Sequence, residues 1–180
     1  MEVQPLALPG IKLITPHVLH DARGFFFESF NAALFRQQVD SQVDFVQDNH
    51  TYSTKNVLRG LHYQLARPQG KLIRVVVGEI FDVAVDIRRH SPTFAQWTGI
   101  RLSAENRHQL WIPPGFAHGF LVMSQAAQVL YKTTDVWCAQ DEHCIVWNDP
   151  ELAIHWPIDD MPQLSDRDRT GCPLSHAALP

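Results

Sequence analysis

The stretch LRGLHYQ, residues 58–64, sets an arginine and a histidine in what otherwise reads as an apolar strand. A buried imidazole serves as a metal ligand, as a proton-transfer base, or as a core side chain with its hydrogen bond satisfied. For a metal, the same strand face would offer a second ligand two residues on, and that position is Gln64. Another histidine, His118, follows the Pro-Gly turn of IPPGFAHGF. Two imidazoles without a nearby carboxylate or thiolate make a poor metal site. Arg59 would face away from His62 in an unbroken strand, but Gly60 is expected to mark a bulge that returns it to the same cavity. Lys71 opens the strand after the RPQG turn, where a hairpin would bring it near His62. Basic side chains are rarely buried unpaired. Inward-facing Arg59 and Lys71 would therefore hold an anion, whereas solvated strand ends would hold nothing. Tyr131, in VLYKTTD, is either a core tyrosine with its hydroxyl at a barrel mouth or a proton donor opposite His62. A carboxylate beside an imidazole fixes its tautomer and makes it a better base. Asp168, in LSDRDR, has that chemistry, but spacing alone leaves it a surface charge.

The elements that must position these groups are strands. Short runs rich in Val, Ile, Phe and Trp recur, among them KLIRVVVG, EIFDVAVDI, QWTGIRL and AQVLYKTTDVW, and Gly or Pro punctuates them. That pattern predicts an all-β sandwich or barrel. In EIFDVAVDI, Ile80, Asp82, Ala84 and Asp86 share one face, and Phe81, Val83, Val85 and Ile87 the other. NAALFRQQV is expected to be a helix capped by Asn31, and a second short helix is expected to begin at Ser165. Residues 171–180 read as a loose tail of a single domain spanning 1–180. The strand at 11–18 is expected to pair with a partner subunit, giving a homodimer.

With 180 residues, 45% of them hydrophobic, the chain can bury one sizeable core. A net charge of −4 gives no basic excess to suggest nucleic acid. Cys138, Cys144 and Cys172 form no C-x-x-C pair and are odd in number, so neither a disulfide framework nor a zinc ribbon is indicated. No apolar run approaches a membrane span and no leader pattern opens the chain, so a reducing cytoplasm is the expected compartment.

LRGLHYQ, QGKLIRVVVGEIFDVAVDIRRHSPTF, LSAEN, LWIPPGFAHGF, YKTTD, WNDP and LSDRD occur in this order. Taken together they resemble the dTDP-4-dehydrorhamnose 3,5-epimerase family, over roughly residues 5 to 170. The resemblance implies a cupin-type β jelly roll, dimeric, with N-terminal strands exchanged. The implied substrate is dTDP-4-dehydro-6-deoxy-D-glucose, inverted at C3 and C5 without metal or organic cofactor on the way to dTDP-L-rhamnose. It makes His62 the base, Asp168 its dyad partner and Tyr131 the acid on the opposite face, with Lys71 beside the C4 oxygen. Arg23, Glu28, Gln47, Asn49, Arg59, His118, Glu142 and Arg167 match substrate-binding positions. Trp137 matches an aromatic position that stacks on thymine, and Phe26 would offer the second face. Arg167 and Trp137 stand where lysine and tyrosine are usual, and Cys144 and Ala95 where glycine is. None of these departures removes a catalytic group. Relatives that invert C3 or C5 alone would share the same dyad. A non-catalytic binding module would have lost His62, Lys71 or Tyr131, and a metal-dependent cupin would need more ligands.

Overall fold

The computed structural model describes residues 1–180. Thirteen strands and two short α-helices follow in order: β1 (Glu2–Pro5), β2 (Lys12–Thr15), β3 (Leu19–Asp21), β4 (Gly24–Phe26), α1 (Ala32–Gln38), β5 (Gln47–Thr54), β6 (Leu58–Gln64) and β7 (Lys71–Val77). Then come β8 (Glu79–Asp86), β9 (Trp97–Ser103), β10 (Gln109–Ile112), β11 (Phe116–Val122), β12 (Ala126–Thr133), β13 (Glu142–Cys144) and α2 (Asp166–Arg169). A six-stranded sheet runs β1-β2-β10-β7-β12-β5 and a five-stranded sheet β13-β6-β11-β8-β9, with every pairing antiparallel. Two facing sheets with this crossed order make the expected cupin-type jelly roll.

The alternation seen in the sequence decides what each face does. Ile73 and Val75 of β7 meet Ile80 and Ala84 of β8 and Phe120 of β11 between the sheets. From the opposite face of β8, Val83 and Val85 join Leu58, Leu61 and Leu121 under Leu152, Trp156, Leu174 and Ala177. On the outer side of the six-stranded sheet, Leu72 and Trp111 are covered by Phe35 and Val39 of the α1 segment. Asn31 caps α1 as expected, its Oδ1 accepting from the backbone N–H of Ala33 and Leu34 at 3.0 and 3.2 Å.

Two expectations are corrected. Residues 171–180 are not a loose tail. Leu174 and Ala177 are buried against the five-stranded sheet, and the Leu174 N–H donates to Asp149 Oδ2 at 2.7 Å. The Tyr63 hydroxyl donates to the Ala178 carbonyl at the same distance. The small and polar composition of the tail hides that its few apolar residues fill the outer face of β6 and β8. The strand expected to pair across subunits is the second correction. β2 is flanked within the chain by β1 and β10, so the edge left free is β1.

Candidate active site

His62 comes from β6 in the five-stranded sheet, and Tyr131 and Lys71 come from β12 and β7 in the six-stranded sheet. All three line one cavity between the sheets, with Arg59, His118 and Glu142, and with Gln47, Asn49 and Trp137 at its rim. Its volume, mouth included, is about 760 Å³, within the range of small-molecule sites. An imidazole and a phenol therefore face each other from opposing sheets, so a substrate held between them presents one face to each.

Asp168 stands behind His62, with Oδ1 2.7 Å from Nε2. The contact lies off the line of the ring N–H, leaving Nε2 buried without an in-line hydrogen bond. The carboxylate itself is well held. Oδ1 accepts from the Gly60 N–H at 3.2 Å, and Oδ2 accepts from the Ser165 hydroxyl at 2.6 Å. Ser165 also caps α2, accepting from the Asp168 N–H. Burial raises the Asp168 pKa, but the close His62 imidazole with its charge and the hydrogen bonds from Ser165 and Gly60 outweigh it, and the net shift is downward. The group stays a carboxylate, suited to orienting an imidazole and to stabilising an imidazolium.

Gly60 makes this arrangement possible. The β6–β11 register shifts between His118 and Phe120, opposite Gly60, as a bulge requires. That bulge lets both Arg59 and His62 reach the cavity. At φ +125°, a Cβ on Gly60 would meet Gly119 Cα at 2.5 Å and the His118 carbonyl oxygen at 2.8 Å. Gly60→Ala is expected to cost at least about 2 kcal/mol of stability in urea unfolding. A Gly60→Ala protein as stable as the parent would mean that the close approach is not required.

Lys71 is buried, and its ammonium donates to the His62 carbonyl at 3.4 Å. Burial lowers its pKa from 10.5 to about 8, with Asp82 pulling the other way. His118 Nε2 sits 3.0 and 2.9 Å from the two oxygens of Asp82, which has no exposed surface. Burial raises the Tyr131 phenol above its usual pKa, opposed by the Arg59 charge. Tyr131 is thus a protonated donor at neutral pH. Arg59 Nε donates to Ser53 Oγ at 2.9 Å. At the rim, Gln47 donates to Asn49 Oδ1 at 2.8 Å and accepts from the Trp137 backbone N–H at 2.9 Å, and the Trp137 side chain stays half exposed. Arg167 is paired with Glu142 and so joins the site at second hand. Gln64 is turned to the loops, bonding the Arg67 and Val136 carbonyls and the Cys138 N–H.

Three residues that the resemblance assigns to substrate lie elsewhere. Arg23 pairs with Asp21 at 2.6 Å on the β3–β4 hairpin. Phe26 and Glu28 border a second, apolar hollow with Leu72 and Gln109, on the outer side of the six-stranded sheet. Conversely, Asp82, Gln69, Thr51 and Phe120 belong to the site or its support but were not singled out from sequence. Asp82 did leave a signal, since a carboxylate sharing a strand face with Ile80 and Ala84 demands a buried partner. The Thr51 hydroxyl is buried without a partner in the chain.

Comparison with known proteins agrees with this geometry. The family model for dTDP-4-dehydrorhamnose 3,5-epimerase matches residues 5–176. The chain is 59% identical over 171 residues to the dTDP-4-dehydrorhamnose 3,5-epimerase of Pseudomonas aeruginosa, covering 95% of this chain and 94% of that one. It is 52% identical to the enzyme of the same name from Salmonella typhimurium, covering 99% and 98%. The crystal structure of a dTDP-6-deoxy-D-glucose-3,5-epimerase from Legionella pneumophila, in complex with dTDP-4-keto-L-rhamnose, superposes with a TM-score of 0.97 at 47% identity over 99% of this chain and 97% of that one. The chain belongs to the dTDP-4-dehydrorhamnose 3,5-epimerase family.

Proposed function

We propose that this protein inverts C3 and C5 of dTDP-4-dehydro-6-deoxy-D-glucose, using His62 as base and Tyr131 as acid. The observation that carries the reading is their placement on facing sheets of one cavity, with Asp168 at 2.7 Å behind the imidazole. The C4 ketone acidifies the protons at C3 and C5, because losing either gives an enolate. His62 takes the proton from one face of the sugar, and Tyr131 returns one to the other. The Lys71 ammonium, on the Tyr131 sheet, stabilises the enolate oxygen, a contribution of about 3 to 4 kcal/mol for a well-placed donor. Arg59 suits the diphosphate, since a guanidinium fork matches phosphate oxygens. Trp137 and the Gln47–Asn49 pair at the rim fit the thymidine end. Binding energy there positions the sugar for proton transfer.

Proton NMR in deuterated water with this substrate is the direct test. Deuterium is expected at both C3 and C5, with the rhamno-configured product trapped by a reductase. Deuterium at one carbon alone would make the protein a single epimerase, the second reading that the same dyad allows.

The working unit is a homodimer in this proposal. β1 is a free sheet edge, and the neighbouring hairpin exposes Leu19, Phe25 and Phe26. Arg23, Phe26 and Glu28 cannot reach their own chain's cavity from the outer side of the six-stranded sheet, but a partner's hairpin can carry them to it. Mixing inactive His62→Ala and Arg23→Ala subunits tests this. If each cavity borrows Arg23, every mixed dimer has one intact site, and about a quarter of parental turnover at limiting substrate returns. A mixture as inactive as its components would place Arg23 in its own chain's site or outside catalysis.

A further inference from the structure

The pairing of β13 with β6 sets a thiol against the dyad. β13 lies antiparallel to β6 with Cys144 directly opposite His62. Donor atoms of His62, Cys144 and Asp168 all lie within 4.8 Å of one another. Imidazole nitrogen, sulfur and carboxylate oxygen form a zinc-type donor set, and three protein ligands leave the fourth position open. Tetrahedral zinc spaces such donors about 3.3 to 3.8 Å apart. The 2.7 Å His62–Asp168 contact lies below that range and the 4.8 Å limit on all the separations lies above it, so binding requires a modest adjustment of these side chains. The buried Nε2, without an in-line hydrogen bond, is available to a cation.

We propose that His62, Asp168 and Cys144 form an inhibitory site for a thiophilic divalent cation, with zinc as the probe. The imidazole proton shifts to Nδ1, the incoming cation takes the freed Nε2 lone pair and a carboxylate oxygen, and the thiol proton leaves to solvent as the metal–sulfur bond forms. The inhibition rests on the reading of His62 as the base, because a metal-bound imidazole has no lone pair for the substrate. The binding does not rest on it.

The test runs two measurements on the intact metal-free protein. Zinc is titrated against a chromophoric chelator, and epimerase turnover is followed at each free-zinc level. One zinc is expected to bind per chain, with turnover falling in step and returning on addition of chelator. Cobalt(II) is expected to give a thiolate-to-cobalt charge-transfer band. In Cys144→Ser and Cys144→Ala, zinc affinity should fall roughly 100-fold or more and the cobalt band should vanish, while zinc-free turnover stays within about two-fold of the parent. Thermal melting confirms that both variants fold. Zinc binding of unchanged affinity in both would overturn the site, as would no binding to the parent. Binding that depends on Cys144 but spares turnover would overturn the inhibition and remove His62 as the base. A parent without epimerase turnover before zinc is added would strike the proposed function alone, and the titration would still decide the site.

Discussion

In His62→Ala, epimerase turnover is expected to fall by at least about 10³-fold, toward the upper part of what a positioned base contributes. Deuterium uptake at C3 is expected to fall with it, because removal of the proton, not its return, is the step that needs the imidazole. The side chain is a quarter exposed, so its loss opens no sealed core cavity. Asp168 keeps the Gly60 N–H and the Ser165 hydroxyl. The variant should therefore melt close to the parent, which separates lost chemistry from lost structure. Exchange at C3 continuing at the parental rate in His62→Ala would assign the base elsewhere. His118, paired with Asp82 in the same cavity, would then be the group to test. Asp168→Asn should be milder. The amide retains the contact but not the charge that stabilises the imidazolium.

Much of this site is legible in the chain because β structure writes itself with a period of two. The alternation in EIFDVAVDI separates the two faces of β8, and the structure puts Ala84 between the sheets and Val83 on the outer face as that pattern requires. Gly60 is readable for the same reason, since a glycine inside a strand motif has few roles besides a bulge or a close backbone approach. Here it has both. Asp168 is not readable this way. It reaches His62 only because α2 packs against β6, a contact between distant parts of the chain that no local period encodes. Only the resemblance to a family paired the two residues. That same resemblance could not say on which side of a sheet Arg23, Phe26 and Glu28 lie. A motif keeps the order of residues along a chain, but it does not record which copy of the chain a residue serves.

Lys71→Met is expected to move activity and stability in opposite directions. Turnover should drop about 10² to 10³-fold, the range seen when a preorganised donor to a developing oxyanion is removed. Stability should rise, because the folded protein carries an ammonium that burial disfavours. The lowered pKa, about 8 against 10.5, means that the unfolded chain holds this proton more tightly than the native one. The native state accordingly gains stability as pH rises through that window, and below it the charged, buried lysine is a standing cost. Methionine has similar length and no charge, and removing the ammonium relieves a burial cost of about 3 kcal/mol, the worth of the difference between 10.5 and about 8. Thermal melts at pH 7 should show the variant above the parent, with the difference shrinking toward pH 10. The same titration should appear in catalysis. The profile of kcat/KM reports the free enzyme's groups. For the parent it should fall above about pH 8 as the ammonium loses its proton, and in Lys71→Met that limb should disappear. A variant that loses stability and activity together would show Lys71 to be a packing residue whose removal damages the cavity. Opposite signs, with the basic limb gone, are what an oxyanion donor held under strain requires.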